Sequence, residues 1–298
     1  MAQESVEQLR ARIRELELEV SEREKDLSIF RRELGSANRR LESLIAELNQ
    51  EIRVVHSIQK ILVPTEIPQI QGFDFSSKFL PSFSRGGDYY DVFEHEDRAK
   101  FGVVVASGSG HVMSALLLSV LLKMTSRMEG RRKSDPVTMV KQIIGEMKPS
   151  IGATDHADLY YGVFDRRQFS LSYVKLGGIL ALHYDHSSTE LKLLKSSYPA
   201  ISGASDDDLV SQTVGLNPRD KLIFCTPGVV EAKNLEGQEF GQDRLYKAIL
   251  EYASRGVHEL RNQIFFRLQQ FAAGQEPPRD QTVVVAEVKD KVIKLAKK

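Results

Sequence analysis

An aliphatic residue stands at every seventh position through the first fifty residues of the chain. These heptad a positions are Val6, Ile13, Val20, Leu27, Leu34, Leu41 and Leu48, and the d positions are Leu9, Leu16, Arg23, Phe30, Ala37, Leu44 and Glu51. No proline occurs before Pro64, so nothing interrupts a helix here. A stripe of period 3.5 sustained this long is typical of a coiled coil, which needs a partner helix to bury it. β-Branched residues at the first three a positions, with leucine at the early d positions, favour a parallel dimer.

The apolar stripe changes phase near Leu44. Its later members are Leu41, Ile45, Leu48, Ile52 and Val55, followed by Leu62. Such a change alters the supercoil locally or releases the helix towards another surface. Two interpretations of residues 45–62 therefore stay open: they continue the coiled coil, or they dock on the rest of the chain.

Charge and composition exclude several classes of protein. The chain of 298 residues has 41 Lys and Arg against 41 Asp and Glu, and a protein that coats nucleic acid or an anionic membrane needs a basic excess. The short basic run 131–133 is interpreted as a solvated turn.

A single cysteine, Cys225, excludes an intrachain disulfide and a cysteine-rich zinc site. The polar start of the chain has no secretory signal, and the longest apolar stretch, 112–122, is too short to span a bilayer. We therefore expect a cytoplasmic protein with no membrane span and no nucleic-acid partner.

Pro64 and Pro68 end the helix, and groups of strands and helices follow. Strands are predicted at FDFSSKFLPSF, DYYDVFEHE, FGVVVAS, GILALHYD, ELKLLKS, KLIFCTP and QTVVVAEV, and LYYGVFDRRQFSLSYVKL is predicted to form a hairpin that turns at 165–168. Helices are predicted over 112–128, over 136–148 with Asp135 as the N-cap, and as a pair within 240–271. This order indicates an α+β sandwich with antiparallel sheets rather than a doubly wound parallel sheet.

Several common chemistries have no matching motif. The chain has no G-x-x-x-x-G-K-[ST] phosphate loop, and the glycines at 108 and 110 lack the third glycine of a dinucleotide-binding fingerprint. The seven histidines form no H-E-x-x-H zinc motif. His183 and His186 are close in sequence but have no third ligand nearby, so we predict that both are polar surface residues.

Five short segments occur in a fixed order along the rest of the chain. They are QKILVPTEIP at 59–68, RGGDYYDVF at 85–93, VVVASGSGHVMSAL at 103–116, LIFCTPGVVEAKN at 222–234 and RDQTVVVAEV at 279–288. Together they resemble the SpoIIE/RsbU branch of the PPM-type, metal-dependent serine/threonine protein phosphatases. The resemblance implies a PPM-type αββα sandwich after the N-terminal coiled-coil helix, normally with two Mn²⁺ or Mg²⁺ ions in a cleft at one edge. It also implies a usual substrate, a phosphoserine or phosphothreonine on a small STAS-domain anti-sigma-factor antagonist.

The resemblance places metal-binding aspartates at four motif positions, and three of these are substituted here. The G-G-D motif keeps Asp88, D-x-S-G-H begins with Ser107, T-D-G has Pro227 in the middle, and D-D-x-T begins with Arg279. Two hard dications need several anionic oxygen ligands. One aspartate beside one arginine leaves these four positions without net charge, so the pattern predicts that the metal pair is lost.

We accordingly predict no catalytic residue, no cofactor-binding residue, no metal site and no cofactor. The vestigial site positions are Asp88, Asp91, Ser107, Gly108, Pro227, Arg279 and Asp280. The alternative is a weak Mn²⁺ or Mg²⁺ ion at Asp88. We also expect the Arg279 guanidinium to pair with Asp88 or Asp91 and to take over the cross-link that the ions would make, because its planar fork suits a carboxylate.

The sequence is interpreted as a pseudophosphatase with three parts: a coiled coil at 1–57, a PPM-type phosphatase-like domain at 58–290 and a basic C-terminal tail at 291–298. We expect a homodimer joined through the coiled coil, which binds a STAS-domain or related signalling protein in a partner-switching pathway. Two alternatives stay open. One is an active metal-dependent serine/threonine phosphatase with an altered metal site that acts on a STAS-domain antagonist. The other is a structural adaptor in which the coiled coil carries the function and the globular domain serves only as a docking site.

Overall fold

A computed structural model describes residues 2–62, 67–82, 87–109, 135–151, 155–195, 198–202 and 208–289. The chain divides into two compact units, residues 1–54 and residues 55–298. Helix α1 (Ala2–Leu62) is one continuous α-helix through the predicted change of stripe phase. The apolar stripe of α1 forms a seam that is exposed to solvent: Leu27 and Leu34 have 55% and 57% of their surface accessible. The stripe is therefore open to a partner helix. None of the helices within the described ranges is long and apolar enough to cross a membrane.

In the part of the chain that the structure describes, ten strands form two antiparallel five-stranded sheets. The first sheet has the order β1-β10-β9-β6-β7 and the second β2-β3-β4-β5-β8. The strands are β1 (Phe73–Leu80), β2 (Asp88–Glu94), β3 (Lys100–Ser109), β4 (His156–Asp165), β5 (Ser170–Leu176), β6 (Leu180–Asp185), β7 (Glu190–Leu193), β8 (Gln212–Gly215), β9 (Lys221–Cys225) and β10 (Gln281–Val288). The predicted hairpin is confirmed, since β4 and β5 flank a turn at 166–169.

The central strands are buried on both faces because their side chains alternate between two cores. In β10, Val284 packs between the sheets and Val285 packs on the outer face. In β3, Val105 packs between the sheets and Val104 packs on the outer face. The continuous apolar runs in the sequence therefore reflect strands covered from both sides.

Helices cover the outer faces of both sheets. They are α2 (Pro136–Met147), the short α3 (Pro227–Val230), α4 (Gly241–Tyr252) and α5 (Val257–Ala272), with a 3₁₀ turn at Lys148–Ser150. Helix α2 packs on the second sheet, and α4 and α5 pack on the first. Asp135 caps α2 as predicted, because its carboxylate accepts the N–H of Thr138 at 2.8 Å. The layer order αββα agrees with the resemblance.

Two features differ from the sequence predictions. The edge strand β8 is only four residues long and has no clear apolar alternation, so it was not predicted. The assignment of His183 to the surface is wrong: its side chain is buried, and Nε2 lies 2.9 Å from the Asp220 carboxylate. His183 lies in β6, whose two faces are both covered: Ala181 packs in the core between the sheets and Leu182 packs in the outer core. The helix predicted over 112–128 and the basic run at 131–133 lie outside the described residues.

Candidate functional site

Four of the predicted positions meet at one edge of the β-sandwich. Asp88 begins β2 and is the register partner of Ser107 in β3, so these two belong to the second sheet. Pro227 begins α3, two residues after β9 ends, and Arg279 comes two residues before β10 begins, so these two flank the first sheet. The site therefore lies where the two sheets meet.

The Asp88 carboxylate is buried, with 1% of the residue exposed, and it accepts three hydroxyl hydrogen bonds. Ser107 Oγ donates to Oδ1 at 2.6 Å. Thr226 Oγ1 and Thr282 Oγ1 both donate to Oδ2, at 2.6 and 2.8 Å. Because the two threonines belong to the β9 and β10 region of the first sheet, this carboxylate links the sheets to each other.

Other donors direct two of these hydroxyl protons towards Asp88. Arg279 Nη2 donates to Ser107 Oγ at 3.1 Å, and the N–H of Thr282 donates to Thr226 Oγ1 at 2.9 Å. A hydroxyl oxygen that accepts on one side presents its own proton on the other. Burial and the nearby Asp280 carboxylate nevertheless raise the pKa of Asp88 to about 7, although the three hydroxyl bonds lower it.

Asp280 is buried beside this carboxylate and holds the backbone that leads into β2. Its Oδ1 accepts the N–H of Ser82 at 2.7 Å. Its Oδ2 accepts the N–H groups of Gly87 and Asp88, at 2.9 and 3.3 Å. The Asp280 side chain thus positions the first residues of β2 through backbone amides.

Arg279 pairs with Glu231 and Asp158, so the expectation that it pairs with Asp88 is wrong. Nη1 lies 3.2 Å from Glu231 Oε1, and Nη2 lies 3.7 Å from Asp158 Oδ2. The Ser107 hydroxyl stands between the guanidinium and Asp88 and bonds to both. The cross-link between the strand ends is therefore a hydrogen-bonded relay and not a direct ion pair.

Asp91, the other partner expected for Arg279, lies outside this cluster. Side chains three residues apart on a strand point to opposite faces, so Asp91 points away from the face that Asp88 occupies. Its carboxylate accepts the Tyr89 hydroxyl at 3.2 Å and the N–H of Val92 at 2.9 Å. The structure thus separates Asp91 from the other vestigial positions.

The remaining vestigial positions contribute backbone geometry. The N–H of Gly108 donates to the carbonyl of Gly87 at 3.1 Å. Pro227 occupies the N1 position of α3 and offers no polar side-chain atom. At Gly228 an added Cβ would lie 2.1 Å from the carbonyl oxygen of Asp280, so only glycine fits where α3 approaches this loop.

Sequence reasoning missed Asp158 as a member of the site. It is buried with 4% exposure, it accepts the N–H of Gly178 at 2.8 Å, and it is the register partner of Ser107 across β3 and β4. A carboxylate near the start of the otherwise apolar run ADLYYGVF was the available signal. Only the sheet register brings it next to Arg279.

The described residues do not fit the family's pair of divalent cations. Both oxygens of Asp88 already accept hydroxyl protons, Pro227 supplies no ligand, and the Arg279 guanidinium lies between the carboxylates of Asp158 and Glu231. Hard dications need open anionic oxygens. Within the described ranges, no group of three or more His, Cys, Asp or Glu side chains is arranged to hold a metal ion.

Comparison with known proteins supports the same family. The phosphoserine phosphatase RsbU of Bacillus subtilis strain 168 is 20% identical over 234 residues, which cover 78% of this chain and 69% of RsbU. Protein IcfG of Synechocystis sp. is 24% identical over 226 residues, and the match covers 67% of this chain but only 35% of IcfG.

Solved structures share the fold at low sequence identity. The SiaA-PP2C domain of Pseudomonas aeruginosa matches with a TM-score of 0.67 and 18% identity, covering 83% of this chain and 98% of that chain. The RsbU and RsbW domains of Rv1364c from Mycobacterium tuberculosis match with a TM-score of 0.63 and 17% identity, covering 76% and 63%. The family model described as Stage II sporulation protein E (SpoIIE) matches residues 97–289, more than half of the sequence. The chain therefore belongs to the SpoIIE family of PPM-type phosphatase domains.

Proposed function

We propose that this protein is a pseudophosphatase, a dimeric regulatory module that binds a signalling partner without removing phosphate from it. The observation that carries the proposal is the state of the Asp88 carboxylate, whose two oxygens are taken by the hydroxyls of Ser107, Thr226 and Thr282. A metal ion would have to displace these donors in a buried place. In two-metal phosphatases the pair of ions holds and activates the attacking water. Without the ions, this site has no metal to hold that water.

Electrostatics supports the loss of metal binding. Arg279 brings a permanent positive charge to a position where the family has a carboxylate, and this charge is satisfied by Glu231 and Asp158. A dication entering beside it would meet a guanidinium that is only 15% exposed and weakly screened. The buried carboxylates of the site, those of Asp88, Asp158 and Asp280, already accept hydrogen bonds from the protein.

The partner in this proposal is a STAS-domain protein or a related member of a partner-switching pathway. Support comes from relatives: one is named phosphoserine phosphatase RsbU, one solved neighbour carries RsbU and RsbW domains, and another belongs to work on the bacterial stressosome. The exposed seam of α1 supports a homodimer, because an apolar stripe of this length stays open in a single chain. The dimer would then carry two copies of the partner-binding domain.

The direct test measures metal binding and turnover on the full chain. We expect no heat of Mn²⁺ binding by titration calorimetry up to millimolar metal, and no release of phosphate from a phosphoserine peptide above the buffer rate. Bacillus subtilis RsbU, assayed in parallel, is the control for both measurements. Turnover that needs Mn²⁺ and stops with a chelator would contradict the proposal and favour the active phosphatase with an altered metal site.

A second measurement separates a binding module from a coiled-coil adaptor. A variant with Leu27→Asp and Leu34→Asp opens the seam and leaves the globular unit unchanged. If the module binds a STAS-domain protein through its globular unit, each monomer of this variant keeps the intrinsic affinity. Complete loss of binding would instead assign the function to the coiled coil.

A further inference from the structure

One charged residue interrupts the apolar seam of α1. The d positions at 9, 16, 30, 37 and 44 are apolar, whereas the d position between 16 and 30 is Arg23. The Arg23 side chain is 75% exposed in the single chain, and its Nη2 lies 2.7 Å from Oε1 of Glu19, one helical turn earlier. A side chain at a d position enters the interface when a second helix covers the seam, so association changes the surroundings of Arg23.

Two glutamates lie on the edges of the seam beside Arg23. Glu19 occupies a g position and Glu24 an e position, which are the two heptad positions that flank the a and d residues. In a parallel pair of helices in register, each g residue faces the e residue five positions later in the other helix. Glu19 therefore faces the partner's Glu24, and these two carboxylates repel each other on each side of the dimer.

Arg23 is placed to join these two carboxylates. A d side chain packs against the e residue of the same heptad in the other helix, so Arg23 and the partner's Glu24 are neighbours in this arrangement. Residues one position apart on a helix do not face each other, so Glu24 does not reach Arg23 of its own chain. The planar guanidinium has five N–H donors, which is enough to bond Glu19 and the partner's Glu24 at once.

We propose that Arg23 fixes the register of a parallel α1 dimer by bridging Glu19 of its own chain and the partner's Glu24. The occupant of the seam is a second copy of this chain, because the cation and both carboxylates come from one sequence and recur on the two sides of the dimer. A shift of one heptad would place one Arg23 beside the partner's Arg31, so the charges disfavour it. The inference rests on the dimer of the proposed function and is independent of metal binding.

Exchanging the two charges between chains tests this contact. Arg23→Glu and Glu24→Arg are made in separate full-length chains, so that each homodimer has like charges at positions 23 and 24 and the mixed dimer has opposite charges. Native mass spectrometry of an equimolar mixture should show at least about 80% of the dimers as heterodimers, against about half for random pairing. The matched control is Arg14→Glu mixed with Glu15→Arg, an adjacent pair at the outer b and c positions, which should pair randomly.

A second mixture separates this contact from a direct contact between the two residues at position 23. When Arg23→Glu is mixed with the unchanged chain, the contacts between positions 23 and 24 add up to the same total in homodimers and in heterodimers. Any preference then reports position 23 alone, and we expect a smaller heterodimer fraction than with the exchanged pair.

Three results would overturn the proposal. If the unchanged chain is a dimer but the exchanged pair mixes randomly or forms no dimer, Arg23 does not bridge to the partner's Glu24, and the dimer of the proposed function stands. Equal heterodimer fractions in the two mixtures would have the same meaning. An unchanged chain that is a monomer by light scattering would overturn both the bridge and the dimer.

Discussion

Arg279 Nη2 donates to Ser107 Oγ at 3.1 Å, so two residues that stand at family metal-ligand positions are bonded directly to each other. The hydroxyl of the same serine donates a hydrogen bond to Asp88 Oδ1 at 2.6 Å. The relay joins the loop before β10 to β3 and then to β2, which are the strand ends where the family resemblance places the ions. The hydrogen bonds of Arg279 and Ser107 therefore connect these strand ends.

The pair of Arg279 and Glu231 should contribute measurably to stability. Arg279→Ala and Glu231→Ala should each lower the free energy of unfolding by about 1–2 kcal/mol, and the double variant should lose clearly less than the sum, because the charges are partly shielded from water. Urea unfolding gives all four values. The exposed pair of Arg267 and Glu251 is the control, with an expected coupling below about 1 kcal/mol. Additive losses at Arg279 and Glu231 would show that the pair is not energetically coupled.

Asp88 should make stability fall as the pH rises towards neutral. Its pKa is about 7 in the folded protein, whereas an aspartate in an unfolded chain titrates near about 3.9. Between these values the folded state holds the extra proton, so this group's stabilisation is complete below about pH 4 and is lost towards pH 7, by at most about 1.4 kcal/mol per pH unit. Asp88→Asn should flatten the pH dependence of urea unfolding between pH 5 and 8. Parallel curves for the two proteins would contradict the raised pKa.

Two glycines should respond in opposite directions to alanine. Gly228→Ala places a methyl group 2.1 Å from a backbone carbonyl oxygen, and we expect a loss of at least about 2 kcal/mol. Gly145→Ala lies within α2 with nothing within 4 Å of the new Cβ, and we expect a gain of about 0.5–1 kcal/mol. Thermal unfolding distinguishes the two signs. A neutral Gly228→Ala would mean that α3 does not approach the Asp280 loop as closely as described.

Local patterns were enough to predict most of the elements. Asp135 with Pro136 marks the start of α2, and the apolar runs around 165–168 mark the β4–β5 hairpin, because capping and strand alternation are properties of neighbouring residues. The four motif positions also meet at one edge, as the family resemblance implies.

The partners of individual charges could not be predicted in the same way. Arg279 meets Asp158 only because the register of β3 and β4 sets that residue beside Ser107. The buried ring of His183 bonds to Asp220, which lies 37 residues later in the chain. Such contacts depend on how strands are placed in the sheets, and hydrophobic periodicity carries no information about which polar side chains meet.

Restoring the family's aspartates should restore metal binding. The triple variant Ser107→Asp, Pro227→Asp, Arg279→Asp places four carboxylates around the Asp88 site, so without metal its unfolding temperature should fall through like-charge repulsion. Millimolar Mn²⁺ should raise that temperature again, because a ligand that binds only the folded state stabilises it. The matched triple variant with asparagine at the same positions carries no added negative charge and should not respond. If Mn²⁺ has no greater effect on the aspartate variant than on the asparagine variant, the backbone no longer has the family's site geometry.

The seam of α1 should hold two copies of the chain together as a parallel dimer. Each buried leucine or isoleucine in such a seam contributes about 1.5–3 kcal/mol, so Leu27→Asp with Leu34→Asp should give a monomer by multi-angle light scattering. Leu18 is the control: it is also exposed, at 65%, but it lies on the opposite side of the heptad from the a and d positions, and Leu18→Asp should remain a dimer. Ile13→Cys, oxidised in the dimer, should form a disulfide with its copy only if the helices are parallel and in register, because position 13 lies near one end of the stripe and would be far from its copy in an antiparallel pair. A Leu27→Asp, Leu34→Asp variant that still runs as a dimer would show that the globular units, and not the helices, hold the pair.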